Sequence, residues 1–91
     1  MLKVELSNEA ELEYIQIWEY IYQDNPFYAN EVLNKIDESI DTILIFPFIW
    51  VEIESWVRKI VEPKYKFTII YEINWNTLYI VSIFKYKNIW E

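Results

Sequence analysis

No glycine, cysteine or histidine occurs in the 91 residues. Each absence closes off a class of chemistry. Without cysteine there is no disulfide scaffold, and a reducing compartment fits. Without histidine or cysteine there are no imidazole or thiolate ligands for zinc, and neither a Ser-His-Asp nor a Cys-His nucleophile can be assembled. Phosphate-cradling loops of the GxGxxG or Walker type need glycine and are excluded. Turns then fall to Asn, Asp, Pro or Ser, so Asn25, Asn74 and Asn76 read as punctuation. Long apolar runs are missing too. The longest uncharged hydrophobic stretch, residues 43–51, contains Pro47 and is far too short to cross a bilayer. No basic start leads into an apolar run with a small-residue cleavage site. A cytoplasmic protein with no membrane contact, no metal and no cofactor is expected.

What is present is aromatic and unevenly charged. A single domain, residues 1–91, with one core is all this length allows. Aromatic residues make up 20% of it, more than so small a core can hide, so some must reach the surface, where they often mark a partner site. Residues 1–55 set two lysines, Lys3 and Lys35, against twelve acids, a balance of −10. Residues 56–91 set Arg58, Lys59, Lys64, Lys66, Lys85 and Lys87 against three acids, a balance of +3. That asymmetry bears on partners rather than on fold.

Periodicity divides the chain in the same place. Residues 2–6 alternate and read as a half-buried strand. Asn8 with Glu11 fits a variant of the capping box, and Glu9, Glu11 and Glu13 suit the positive end of a helix. A first helix then runs to about Gln23. Leu12, Ile15, Trp18 and Tyr22 set its apolar face, Tyr14, Ile17 and Ile21 widen it, and Glu9, Glu13 and Gln16 face water. Asn25-Pro26 stops this helix and starts the next, Asn25 as cap and Pro26 where no amide proton is needed. Ala29, Val32, Leu33, Ile36, Ile40, Ile43 and Leu44 stripe the second helix until Pro47 ends it. So short a joint makes the two helices antiparallel.

Residues 48–55 read as a connector in which Val51-Glu52-Ile53-Glu54 alternates. Three strands follow: 56–62, then 65–73 after a Pro63-Lys64 turn, then 77–84 after Asn74-Trp75-Asn76. The last is apolar on both faces, as a covered strand would be. Burial demands that the helical stripe cover the sheet. The expected class is α+β, in the order β-α-α-β-β-β, an antiparallel twisted sheet under a helical hairpin.

These residues resemble the RelE/ParE-type toxins of bacterial type II toxin–antitoxin pairs over nearly the whole chain. Trp18-Glu-Tyr-Ile, Asn25-Pro26 with Ala29, Ile36, Ile40 and Phe46-Pro47 look like the ParE-like hairpin. Val57-Arg58, Tyr65-Lys66-Phe67, Ile70-Tyr71 and Leu78-Tyr79-Ile80 through Ile83-Phe84 look like the family's strands. Two departures stand out. Phe48-Ile49-Trp50 replaces the family's Gly-Arg-like turn, and the end of the last strand reads Phe84-Lys85-Tyr86-Lys87-Asn88 where arginines are usual.

The resemblance implies a toxin neutralised by a cognate antitoxin. Trp18, Tyr22, Trp50 and Trp56 are the antitoxin-binding candidates, in keeping with a large interface wrapped by a segment that folds on binding. A ParE-like toxin would bind and poison DNA gyrase, and the acidic helical half favours a protein target of that kind. The alternative is a RelE-like, metal-independent mRNA endoribonuclease acting on the ribosome, with Arg58, Lys85, Tyr86 and Lys87 as catalytic candidates around the phosphate. A third reading is a relic that only binds antitoxin.

Overall fold

A computed structural model describes residues 2–85. Its elements are β1 (Lys3–Leu6), α1 (Asn8–Asp24), α2 (Pro26–Ile45), β2 (Val51–Glu54), β3 (Val57–Val61), β4 (Thr68–Asn74) and β5 (Thr77–Phe84). The α+β hairpin-on-sheet class expected from the sequence is observed, with one strand more. The alternating residues of the connector form β2, a short edge strand paired antiparallel with β3.

The sheet order is β1-β5-β4-β3-β2. All pairs are antiparallel except β1 with β5, which run parallel from Lys3 beside Thr77 to Leu6 beside Ile80. Strand β5 is therefore central, with a neighbour on each edge; Leu78, Ile80 and Ile83 join the core, while Tyr79 and Val81 are half-buried. Val81 is an extra residue between the pairs Tyr71–Ile80 and Ile70–Ser82, a bulge in this ladder.

The capping of α1 differs from expectation. Ser7, not Asn8, is the cap: its Oγ accepts the Ala10 N–H at 2.9 Å and donates to the Val81 carbonyl at 2.7 Å. One hydroxyl thus starts the helix and satisfies the bulge. Asn25 caps α2 as expected, accepting the Tyr28 N–H at 3.1 Å, with Pro26 at the first helical position.

One core fills the space between hairpin and sheet. Ile36 and Ile43 of α2 meet Ile69, Tyr71, Leu78, Ile80 and Ile83 of the sheet, all fully or almost fully buried. Each such side chain contributes roughly 1.5–3 kcal/mol of burial. The α2 stripe is the one the sequence indicates. The α1 face is not. Ala10 is fully buried and Tyr14, Ile17 and Ile21 pack on the core, whereas Leu12, Ile15 and Tyr22 are left exposed. The small Ala10 lets the helix approach the sheet, and that sets the helix rotation.

Turns in a chain without glycine fall on unexpected residues. Trp56, Lys66 and Trp75 adopt positive φ of 68°, 65° and 61°. A side chain in this region costs roughly 1–2 kcal/mol relative to ordinary backbone. The Lys66 turn is held from inside by Glu62, which is fully buried. Its carboxylate accepts the N–H of Lys64 at 2.8 Å and that of Tyr65, while its carbonyl accepts the N–H of Lys66 at 2.9 Å. This loop delays β4 to Thr68, three residues later than the alternating pattern suggests.

Candidate functional site

The rotation of α1 creates the most conspicuous surface. Leu12, Ile15, Trp18 and Tyr22 recur at helical spacing on the side turned away from the core, with Leu12 55% and Ile15 45% exposed. The indole of Trp18 stacks on Tyr22 with ring centroids 4.4 Å apart, and its N–H donates to Asn30 Oδ1 at 3.2 Å. Tyr14 donates to Asp37 Oδ1 at 2.9 Å. These two hydrogen bonds lock α1 onto α2 and fix the stripe. Burial, helped by the Asp37 hydrogen bond, pushes the Tyr14 phenol up to about 12.

A groove of about 660 Å³ opens between α1, the start of α2 and the end of β5. Ile17, Ile21, Tyr28, Val32, Phe67 and Ile83 supply its apolar walls, and Glu13, Asp24 and Lys85 its charged rim. No local signal marks this groove, because Ile17 and Ile21 belong to one broad apolar face in the sequence. Glu13 was expected to face water. It is partly buried instead, and its carboxylate accepts from the N–H of Ile83 and the hydroxyl of Ser82, both on β5. Lys85 sits with its ammonium 5.4 Å from the centre of the Phe67 ring.

The four aromatic candidates do not form one surface. Trp18 and Tyr22 are together on α1. Trp50 is half-buried against the core, its indole N–H buried without an acceptor among the described residues. Trp56 stands at the β2–β3 turn, 80% exposed.

Among the described residues, the cationic candidates Arg58 and Lys85 stand apart. Arg58 lies on the helix-covered face of β3, paired across the ladder with Tyr71. It donates to the Trp50 carbonyl at 2.9 Å and rests 5.7 Å from the Phe48 ring centre. The Tyr71 hydroxyl donates to the Pro47 carbonyl at 2.9 Å. Together they pin the connector that follows α2. Burial pushes the Tyr71 phenol up to about 12, with Arg58 opposing the shift. From the strand register Lys85 is roughly 15–20 Å from Arg58. Lys64 is engaged elsewhere, pairing with Glu31 at 2.9 Å beside Tyr65, whose hydroxyl also donates to Glu31. Tyr86 and Lys87 lie outside the described residues.

The model of the family described as the ParE toxin of the type II toxin–antitoxin system, parDE, matches residues 4–90. The chain belongs to the ParE toxin family. The fold agrees with this ParE assignment. A chain of the chromosomal ParDE TA system from P. aeruginosa superposes with a TM-score of 0.81 at 13% identity, over 96% of this chain and 98% of that one. No curated protein matches this ParE-family sequence. Among the described residues, no helix of this ParE-family toxin is long and apolar enough to cross a membrane.

Proposed function

We propose that this ParE-family toxin acts by binding and poisoning DNA gyrase in the cytoplasm, and that a cognate antitoxin silences it by covering the α1 stripe and the adjoining groove. The separation of Arg58 from Lys85 supports a protein target over RNA. Cleavage of RNA without metal needs several positive groups converging on one phosphate. Arg58 is instead committed to the Trp50 carbonyl, Lys64 to Glu31, and Lys85 lies roughly 15–20 Å from Arg58. The −10 balance of the helical half adds repulsion toward ribosomal RNA, where affinity comes mainly from phosphate contacts.

For the antitoxin, the exposed Leu12, Ile15 and Tyr22 with the partly buried Trp18 supply the aromatic and aliphatic anchors on which interfaces depend. The groove continues that surface toward β5.

Induced expression is expected to stop growth, and co-expression of the neighbouring antitoxin gene to restore it. Purified toxin is expected to inhibit gyrase supercoiling and to leave ribosome-bound mRNA intact. Cleavage of mRNA with unimpaired supercoiling would replace the gyrase reading with the RelE-like one. Unaffected growth at verified soluble expression would leave only an antitoxin-binding relic.

A further inference from the structure

The helical hairpin carries almost no positive charge. Residues 8–45 hold nine acids and one lysine, Lys35, whose ammonium pairs with Glu38 at 3.0 Å. The other cations among the described residues belong to the sheet layer. Lys3 is out of step with the core-packed Leu2 and Leu6, and Lys59 with the buried Ile60, so both face the side of the sheet without helices. Arg58 donates to the Trp50 carbonyl, Lys64 pairs with Glu31, Lys66 is in the β3–β4 turn, and Lys85 lies over the Phe67 ring.

Part of the unmatched acid stands on the face of the α1 stripe. Glu11 is four residues before Ile15, and Glu19 is four after it and three before Tyr22, so both stand among the stripe residues. Two more come from α2. Asp37 accepts the Tyr14 hydroxyl, which places it on the α1 side of α2, and Asp41, one turn on, shares that side. The contacts Tyr14–Asp37 and Trp18–Asn30 run antiparallel, so Asp41 falls toward the Glu11 end of the stripe. All four carboxylates are exposed. Lys35, two residues from Asp37, turns to another side of α2.

Leu12, Ile15, Trp18 and Tyr22 are therefore bordered by acids, and among the described residues by no cation. Such a surface repels nucleic acid and anionic lipid. A second copy would set its own acids against these, because a two-fold contact brings like patches together. An extended peptide finds no strand edge on a pair of helices, whereas a helix satisfies its own backbone and needs only side-chain contacts. From Leu12 to Tyr22 the stripe is about 15 Å long, roughly three helical turns.

We propose that the segment laid along this stripe is a basic amphipathic helix. Apolar residues every three or four positions face Leu12, Ile15, Trp18 and Tyr22, and flanking Lys or Arg residues meet Glu11, Glu19, Asp37 and Asp41. Naming that segment as the antitoxin's rests on the function proposed for the hairpin; its charge and helical form rest on the stripe alone.

Two labelled helical peptides of about 18 residues, five turns, test it by fluorescence anisotropy on the full chain. They share one leucine stripe, flanked by Lys and Arg in the first and by Glu in the second. The basic peptide binds the wild type roughly tenfold or more tightly than the acidic one, and its advantage shrinks as salt rises. In the double variant Glu19→Lys with Asp41→Lys the preference narrows or reverses, while Ile15→Lys weakens the basic peptide. Both positions of the double variant are exposed, and the salt series on the wild type is an independent arm should that variant fold poorly. Equal affinity for the two peptides overturns the proposal, as does a preference that neither salt nor charge reversal changes. So does Ile15-dependent binding of a single-stranded oligonucleotide or of phosphatidylglycerol vesicles. A wild-type dimer in sedimentation that Ile15→Lys dissolves overturns it too, by making the occupant a second copy. Competition with purified antitoxin separates this from the antitoxin reading. Antitoxin that displaces the basic peptide supports both. Antitoxin that binds while the peptide stays bound moves the antitoxin off the stripe and leaves the stripe's preference for a basic helix standing.

Discussion

The carboxylate of Glu13 accepts the backbone N–H of Ile83 at 2.8 Å, joining residues 70 positions apart. Strand β1 ends beside Ile80, so β5 runs on past its parallel neighbour with an open edge. Glu13 completes that edge from α1. Glu13→Ala is expected to cost roughly 1–3 kcal/mol by leaving the amide and the Ser82 hydroxyl without this acceptor. Glu13→Gln keeps one acceptor oxygen and should cost less. Urea denaturation of both variants checks the ranking, and equal stability of all three would show that water serves the edge as well.

Lys66 offers a gain instead. Its φ of 65° costs roughly 1–2 kcal/mol; glycine removes that cost but gives up roughly 0.4–1 kcal/mol, because it makes the unfolded chain more flexible. Lys66→Gly is expected to stabilise the protein by about 0.5–1 kcal/mol, read as a shift of the denaturation midpoint at unchanged slope.

Two phenols should titrate late. Burial lifts Tyr14 and Tyr71 to about 12, above their ordinary 10. A raised pKa means that the contribution to stability is complete below pH 10 and is lost as pH rises through 12. Ultraviolet titration should find Tyr14 and Tyr71 ionising near pH 12, and Tyr65, whose hydroxyl donates to Glu31, also above its ordinary value. Tyr71→Phe should remove one from the late group and loosen the connector at Pro47.

One acid-sensitive contact belongs to Glu31. Hydrogen bonds from Tyr65 first and Lys64 second hold its carboxyl below the usual value of 4.5. A depressed pKa stabilises above the unfolded value and is lost as pH falls through the folded one. The β3–β4 turn should therefore detach from α2 below pH 4.5, seen as faster amide exchange at Lys66. In Glu31→Gln that acid step should vanish.

Antitoxin binding gives the functional test of the α1 stripe. Trp18→Ala and Ile15→Lys are each expected to weaken it by roughly 2 kcal/mol or more, about thirtyfold, the size typical of an interface anchor. Circular dichroism should show both variants folded. Unchanged affinity in calorimetry with the purified antitoxin would move the interface off α1.

The hairpin was legible because its signals are local. Asn25-Pro26 and Phe46-Pro47 bound the helices through proline sterics and a local side-chain cap, and the α2 stripe has a single period. The rotation of α1 was not legible, because Leu12 and Ile21 are equally apolar and only the approach permitted by Ala10 selects between them. Strand β2 was half visible: alternation marked it, but its pairing depends on a distant partner. The site suffered most. Nothing local tells Arg58 to turn beneath the connector, or Glu13 to leave water for the edge of β5.

The parallel pairing of β1 with β5 has a consequence for synthesis. The strand that sits between β1 and β4 is the last of the described elements to be made. Until it leaves the ribosome, β1 lacks its partner and the helical hairpin lacks much of its floor. Closure of this sheet is non-local, the kind of contact that forms late and slowly. The folded toxin, with its ordered stripe and groove, thus comes into being only after translation of β5, and a partner present at that moment would meet those surfaces as they form.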